Sequence, residues 1–243
     1  MSFDISQLLD QWEYQPGKLS VRRFTGKDGV EKLQLRIDLG VMQLNATGRP
    51  DGKRPFGHTT LLEHFQAQQA RLGDSFRLGA DDCARLQQEA IQFHHRYICL
   101  FQLGDYPGVI RDTERNLEAL EFLAEHAPTE ELLHPLRQFL PQLLMLQTRA
   151  RGTLEAEAGR HASATEAIEA GIEAIRTFYR EQGHPEWSET SNELHSLTEW
   201  LEELRSRRPL TEREKLENAL REAVAAEDYE KAAQVRDALR NIR

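Results

Sequence analysis

Nine histidines and two cysteines are the side chains with most chemistry to offer in these 243 residues, and metal ligation is the first chemistry to test. A zinc site needs paired ligands at fixed spacing, His-Glu-x-x-His or Cys-x-x-Cys, and the sequence holds neither. His94 and His95 are adjacent, which on a helix points their rings about 100° apart, so one is expected to pack while the other meets water. Cys83 and Cys99 fall among Leu86, Ile91, Ile98 and Phe101, where cysteine acts as a small apolar filler, and no neighbouring motif activates either as a nucleophile. Paired carboxylates such as Glu130-Glu131 and Glu202-Glu203 belong to an acidic chain, net charge −9, whose helices place them in water. There is no Gly-x-Ser-x-Gly elbow. The sequence nominates no catalytic residue, no metal ligand and no cofactor.

Anion binding has better-placed residues. Between positions 18 and 57 the chain carries Lys18, Arg22, Arg23, Lys27, Lys32 and Arg36, then Arg49, Lys53 and Arg54, against only Asp28, Glu31, Asp38 and Asp51. Loop 48–58 is stiffened by Pro50 and Pro55 and delivers its basic side chains to a helix start, where Thr60 and Glu63 form a capping box. Cations beside free helix-terminal N–H groups make an anion site, with Arg22, Arg23, Arg49, Lys53 and Arg54 as its members and Phe24 and Phe56 near enough to stack on a base. The plainer alternative is a rigid connector whose basic groups are solvated or paired with acidic helices. The loop lacks the Gly-x-x-x-x-Gly-Lys-Ser/Thr order, so ATP is not implied, and the net acidity excludes a general nucleic-acid coat.

The elements that position these groups are legible from their periods. Ile5, Leu8, Leu9 and Trp12 predict a short helix ending before Pro16. A strand run to Thr25, a turn at 26–29 and alternation at Leu33, Leu35, Ile37, Leu39 and Val41 predict a hairpin with one apolar face. Beyond Gly40 the phase moves to Met42, Leu44 and Ala46, which fits either a bulge or a second tight turn. After Gly79 six or seven helices are expected, with breaks near Gly104, Ala127, Gly159, Gly183 and Arg208. Displacing the chain by 55 residues sets Gly104 on Gly159, Val109 on Ala164, Leu117 on Ile172 and Leu120 on Ile175. The pair around Leu103-Gly104-Asp105-Tyr106 is similar to a tetratricopeptide helical pair, although the 34-residue period and the tryptophan and proline signatures of that family are missing; an array of helical hairpins is expected.

The tail carries the most specific pattern. Leu216, Leu220, Ala223 and Val224 form one apolar stripe, and Ala232, Val235, Leu239 and Ile242 a second, on either side of Glu227-Asp228-Tyr229. Thr211 with Glu214 predicts one N-terminus, and Asp228 with Glu230 the other. A helical pair of this size, below about 40 residues, cannot bury both stripes alone and needs a covering surface, either another protein or the chain's own helices. Leu216, Leu220, Val224, Tyr229, Val235 and Leu239 are the expected contact residues, with Arg236 and Asp237 at the polar rim. These residues, with Ala223-Val224, Glu227-Asp228-Tyr229-Glu230, Ala232-Ala233 and Val235-Arg236-Asp237, resemble the UVR motif, the helical hairpin of the bacterial excision-repair proteins UvrB and UvrC and of some Clp-type ATPases and their regulators. The resemblance covers only the last thirty-odd residues. It implies protein docking and no chemistry; the helicase, nuclease, Walker and zinc motifs of those proteins are missing from this sequence.

The expected architecture is α+β, mainly α: a small α+β module at 1–78 with the basic hairpin and the Gly/Pro loop, a helical-hairpin array at 79–205, and a UVR-like hairpin at 206–243, with 205–209 as the hinge. No apolar run long enough for a membrane span and no secretion signal is read, and two unpaired thiols point to the cytoplasm. The expected function is that of a non-catalytic adaptor. Its partner would be a protein with a complementary hairpin or a second copy, in excision repair or in regulation of a Clp-type protease; nucleic-acid or anion binding by the basic module is the alternative, and an enzyme for a small anion comes third.

Overall fold

Alternating apolar residues in the N-terminal third build a three-stranded antiparallel meander. In the computed structural model, which describes residues 4–207, 212–226 and 228–241, β1 (Ser20–Thr25) pairs with β2 (Glu31–Ile37), and β2 pairs with β3 (Gly40–Asn45). A two-residue turn at Asp38 and Leu39 sets Ile37 opposite Gly40, so the phase change at Gly40 is a second tight turn and not a bulge. Leu33, Leu35 and Leu44 point into the core. Ile37, Leu39 and Val41, expected to extend that stripe, do not: the strand ends at Ile37, the turn carries Leu39 out to 88 % exposure, and Val41 lies on β3 opposite Arg36, on the other face.

The opposite face of the sheet is not bare either. Gln34 and Arg36 are buried there, because the segment after α1 (Ser6–Asp10) folds over them. Arg22 Nε donates to Gln34 Oε1 at 2.7 Å, and its guanidinium lies 4.3 Å over the Trp12 ring. Arg36 Nε donates to the Trp12 carbonyl at 2.6 Å, while Nη1 donates to the carbonyls of Ile37, Asp38 and Gly40 and so closes the turn.

The chain then becomes helical: α2 (Leu61–Leu72), α3 (Ala80–Gln102), α4 (Tyr106–His126), α5 (His134–Arg137), α6 (Leu140–Glu157), α7 (His161–Glu181), α8 (Trp187–Thr190), α9 (Asn192–Arg207), α10 (Glu212–Ala225) and α11 (Tyr229–Asn241). Seven of those after Gly79 are long, as the breaks in the sequence predict; the two additional ones, α5 and α8, have four residues each and leave no periodic trace. Gly104 and Gly159 end α3 and α6 with φ of +71° and +74°, a conformation that a side chain would strain, and each turn leads directly into the partner helix of a hairpin. Asp105 starts α4 by accepting from the Gly108 amide at 3.0 Å. In the α6–α7 pair the backbones approach so closely that a Cβ on Gly171 would lie 1.9 Å from Thr148 Oγ1.

One core joins the sheet to α3, α4 and α6 through Leu33, Leu44, Tyr97, Leu100, Val109 and Leu143. A second joins α2 to α3 and α4 through Leu62, Phe65, Leu86, Ala119 and Leu123. The chain divides into two compact units, Met1–Leu201 and Glu202–Arg243. Among the described residues no helix is long and apolar enough to cross a membrane.

Candidate functional site: the C-terminal hairpin

Helices α10 and α11 are antiparallel partners joined at 226–228. The Asp228 amide donates to the Ala223 carbonyl at 2.9 Å, closing the first helix, and Asp228 Oδ1 accepts from the Lys231 amide at 3.0 Å, opening the second as its position predicts. Glu230 stands in that first turn, where the helix dipole favours a carboxylate. The small residues form the seam: Ala223 and Ala232 keep 2 % and 8 % of their surface exposed. The larger apolar side chains are only partly covered. Leu216, Leu220, Val235 and Leu239 are half-buried, whereas Val224 and Tyr229, on either side of the reversal, are 52 % and 70 % exposed. Arg236 and Asp237 are exposed and engage each other at 3.2 Å. The expected capping box rests on Thr211, which, like Glu227, Ile242 and positions 208–209 of the hinge, lies outside the described residues.

The five basic residues of the expected anion site are not brought together. Arg22 and Arg23 are neighbours on β1 and project from opposite faces of the sheet. Arg22 is held on Gln34 and Trp12, while Arg23 Nη2 pairs with Asp105 at 2.5 Å. Arg49 engages Asp51 at 2.8 Å and the fully buried Glu89 at 3.2 Å. Lys53 and Arg54 are exposed. The helix terminus beside them already holds an anion, because both Glu89 carboxylate oxygens accept from the Leu61 amide, at 2.7 and 3.0 Å. Thr60 accepts from the Glu63 amide at 3.1 Å, and the Glu63 carboxylate reaches back chiefly to the Thr59 amide at 2.7 Å, with a weaker interaction at the Thr60 amide. Phe56 takes φ +52°, rare for a bulky residue, and is 64 % exposed with its ring stacked 4.2 Å from that of His64.

Sequence reasoning missed the polar centre of the first unit. Arg96, 1 % exposed, grips Asp112 with two hydrogen bonds of 2.6 and 2.8 Å and donates to the Gly48 carbonyl at 2.6 Å. Arg115 donates to Glu89, and desolvation pulls its guanidinium down to about 10 against the pull of that carboxylate. Together these groups tie loop 48–58 to α3 and α4. The signal was present: Glu89 and Arg96 share the face of α3 that carries Leu86, Ala90, Phe93 and Tyr97, so two ionisable side chains stand inside an apolar stripe. His94 and His95 also differ from expectation. Both are partly buried, in edge contact 5.7 Å apart, and His94 Nδ1 lies 2.6 Å from the Tyr97 hydroxyl. Cys83 and Cys99 are buried free thiols, and burial pushes Cys99 up to about 12, far from thiolate reactivity. Among the described residues no three potential metal ligands gather.

The geometry defines the tail as a capped, small-residue-seamed helical hairpin with uncovered apolar side chains at its reversal, the form of an interaction module. Residues 211–243 match the family model described as the UvrB/uvrC motif. No curated protein and no solved structure matches the chain.

Proposed function

We propose that this chain is a non-catalytic adaptor that docks through α10 and α11 onto a complementary helical hairpin, from a second copy of the chain or from another protein. The observation that carries the proposal is the exposure of Val224 and Tyr229 at the reversal, with the half-buried Leu220 one turn before Val224. A hairpin–hairpin contact would give these side chains the cover that a four-helix bundle gives its inner positions. The match to the UvrB/uvrC motif supports docking as the tail's role, and we extend it to a place in excision-repair complexes, with regulation of a Clp-type protease as the alternative pathway. The buried, unpaired thiols fit a reducing cytoplasm. Nucleic-acid or anion binding by the basic module is less favoured, since Arg22, Arg23 and Arg49 are engaged within the chain and only Lys53 and Arg54 stand free beside Phe56.

The test is light scattering and cross-linked capture from the native cell, comparing the full chain with one ending at Arg208. The proposal expects the tail to be required for association with a second copy or with a hairpin-bearing protein. Assembly and capture that survive removal of the tail would overturn it.

A further inference from the structure

A cleft in the first unit, independent of the docking proposal, has the composition of a ligand site. One wall is aromatic. Phe178 and Tyr179 at the end of α7 have ring centroids 5.4 Å apart, Trp187 meets Tyr179 edge-on at 6.3 Å, and His184 stacks flat on Trp187 at 4.1 Å with 5° between planes. His134 and Arg137, one turn apart on α5, form the other wall together with Gln138. The cavity between them has a volume of about 490 Å³, within the range of roughly 300–1,000 Å³ that takes small organic ligands.

Three observations point to what fits there. Trp187 lines the cleft and stays 49 % exposed although one ring face is stacked on His184, so aromatic surface remains open there. Arg137 is half-buried and pairs with no carboxylate among the described residues, whereas Arg49 and Arg115, buried to a similar degree or more, are both paired. No carboxylate lines the cleft; of the acids beside it, Glu186 is engaged by His184 Nδ1 at 3.0 Å, and Glu131 lies near enough to His134 to feel its charge. Its polar lining is completed by the amides of Gln138 and Gln182, each able to donate and to accept. Gln138 spends its Nε2 on the Pro135 carbonyl at 3.1 Å, which leaves its oxygen for a ligand.

We propose that this cleft binds a nucleotide. The base stacks on the aromatic wall, its hydrogen-bonding edge meets Gln182 and Gln138, and the phosphate sits on Arg137 with His134. An inorganic anion would use only the arginine, and an apolar ring only the aromatic wall; a nucleotide uses all three parts.

The test is isothermal titration calorimetry of the full chain with AMP, GMP, CMP and UMP, with ribose 5-phosphate, adenosine and N-acetylphenylalanine as controls. The expected result is saturable binding of at least one nucleoside monophosphate, weakened about tenfold or more by Arg137→Gln and by Trp187→Ala, with every control weaker by about the same factor. The Arg137→Gln melt is expected to be unchanged, because Arg137 is partly exposed and gives up no internal ion pair, whereas Trp187→Ala loses contacts with His184 and Tyr179. If Trp187→Ala melts early, the Arg137→Gln result decides alone. The proposal is overturned by the absence of saturable binding to all four nucleotides, by binding that Arg137→Gln leaves intact, or by a control that binds as tightly as the best nucleotide.

Discussion

Glu89 is the side chain on which the polar interior of the first unit converges. It has no exposed surface, accepts from the Leu61 amide, and faces both Arg49 and Arg115. Glu89→Ala would leave Arg115 without a carboxylate, Arg49 with Asp51 alone and one helix-terminal N–H unpaired, and is expected to cost about 3–5 kcal/mol, read from urea denaturation; a loss under about 1 kcal/mol would show that water takes over the role. His94 makes a second prediction at this scale. Burial, then the neighbouring His95, lowers its pKa from 6.5 to about 4, so the unfolded chain takes up the proton first. The stability held by neutral His94 is therefore full above about pH 6.5 and drains away as pH falls toward about 4. His94→Gln is expected to remove that part of the pH dependence, seen as a gap from wild type in urea midpoints that narrows from about pH 7 to about pH 4.5. Neither role was legible in the sequence. The stripe of α3 does place Glu89 and Arg96 among apolar residues, but only the tertiary arrangement supplies the partners that give them their roles.

At the level of elements, the long helices and their breaks were legible because apolar stripes, caps and left-handed glycines are local devices. The tail shows this best: Asp228 caps α11 as its position predicts, and Ala223 and Ala232 form the seam. Asp228→Ala is expected to cost about 1 kcal/mol and to raise amide exchange at Lys231 first; uniform exchange along α11 would contradict the cap. Packing between elements was not legible. Nothing in the sequence around Gly171 says that Thr148 Oγ1 would lie 1.9 Å from an added Cβ, and Gly171→Ala is expected to push α6 and α7 apart at a cost of about 1–3 kcal/mol in thermal or urea melts. The turn at Asp38 and Leu39 belongs to the same class. Alternation carried the strand four residues too far, to Val41, because a tight reversal ends the pairing before the apolar pattern runs out. The expected anion site failed for a related reason: spacing gathered five basic residues within 33 positions, but the pleat of β1 sends Arg22 and Arg23 to opposite faces, and Glu89 already fills the helix terminus.

For the whole molecule, the first unit has closed cores beneath scattered exposed side chains such as Leu39 and Phe56, whereas in the second, among the described residues, only Ala223 and Ala232 are buried. Leu33, Leu86, Leu123, Ile168 and Leu197 are 0 % exposed, against 52 % and 70 % for Val224 and Tyr229. Covering what remains open of each is worth on the order of 1 kcal/mol, so a hairpin contact would draw on several such side chains together. The stripes themselves were readable from the sequence; how much of each stays uncovered was not, because that depends on a chain fold no local pattern encodes. Lys231, exposed on α11 two residues from Tyr229, gives a direct handle on what covers them. The deciding measurement is lysine cross-linking of the full chain in native cell extract, with an isotopically labelled second copy present, comparing wild type with Val224→Asp/Tyr229→Ser. The docking account predicts cross-links from Lys231 to a helical hairpin in another polypeptide, falling about tenfold in the variant. Links confined to the chain itself, or equally abundant in both proteins, would contradict it.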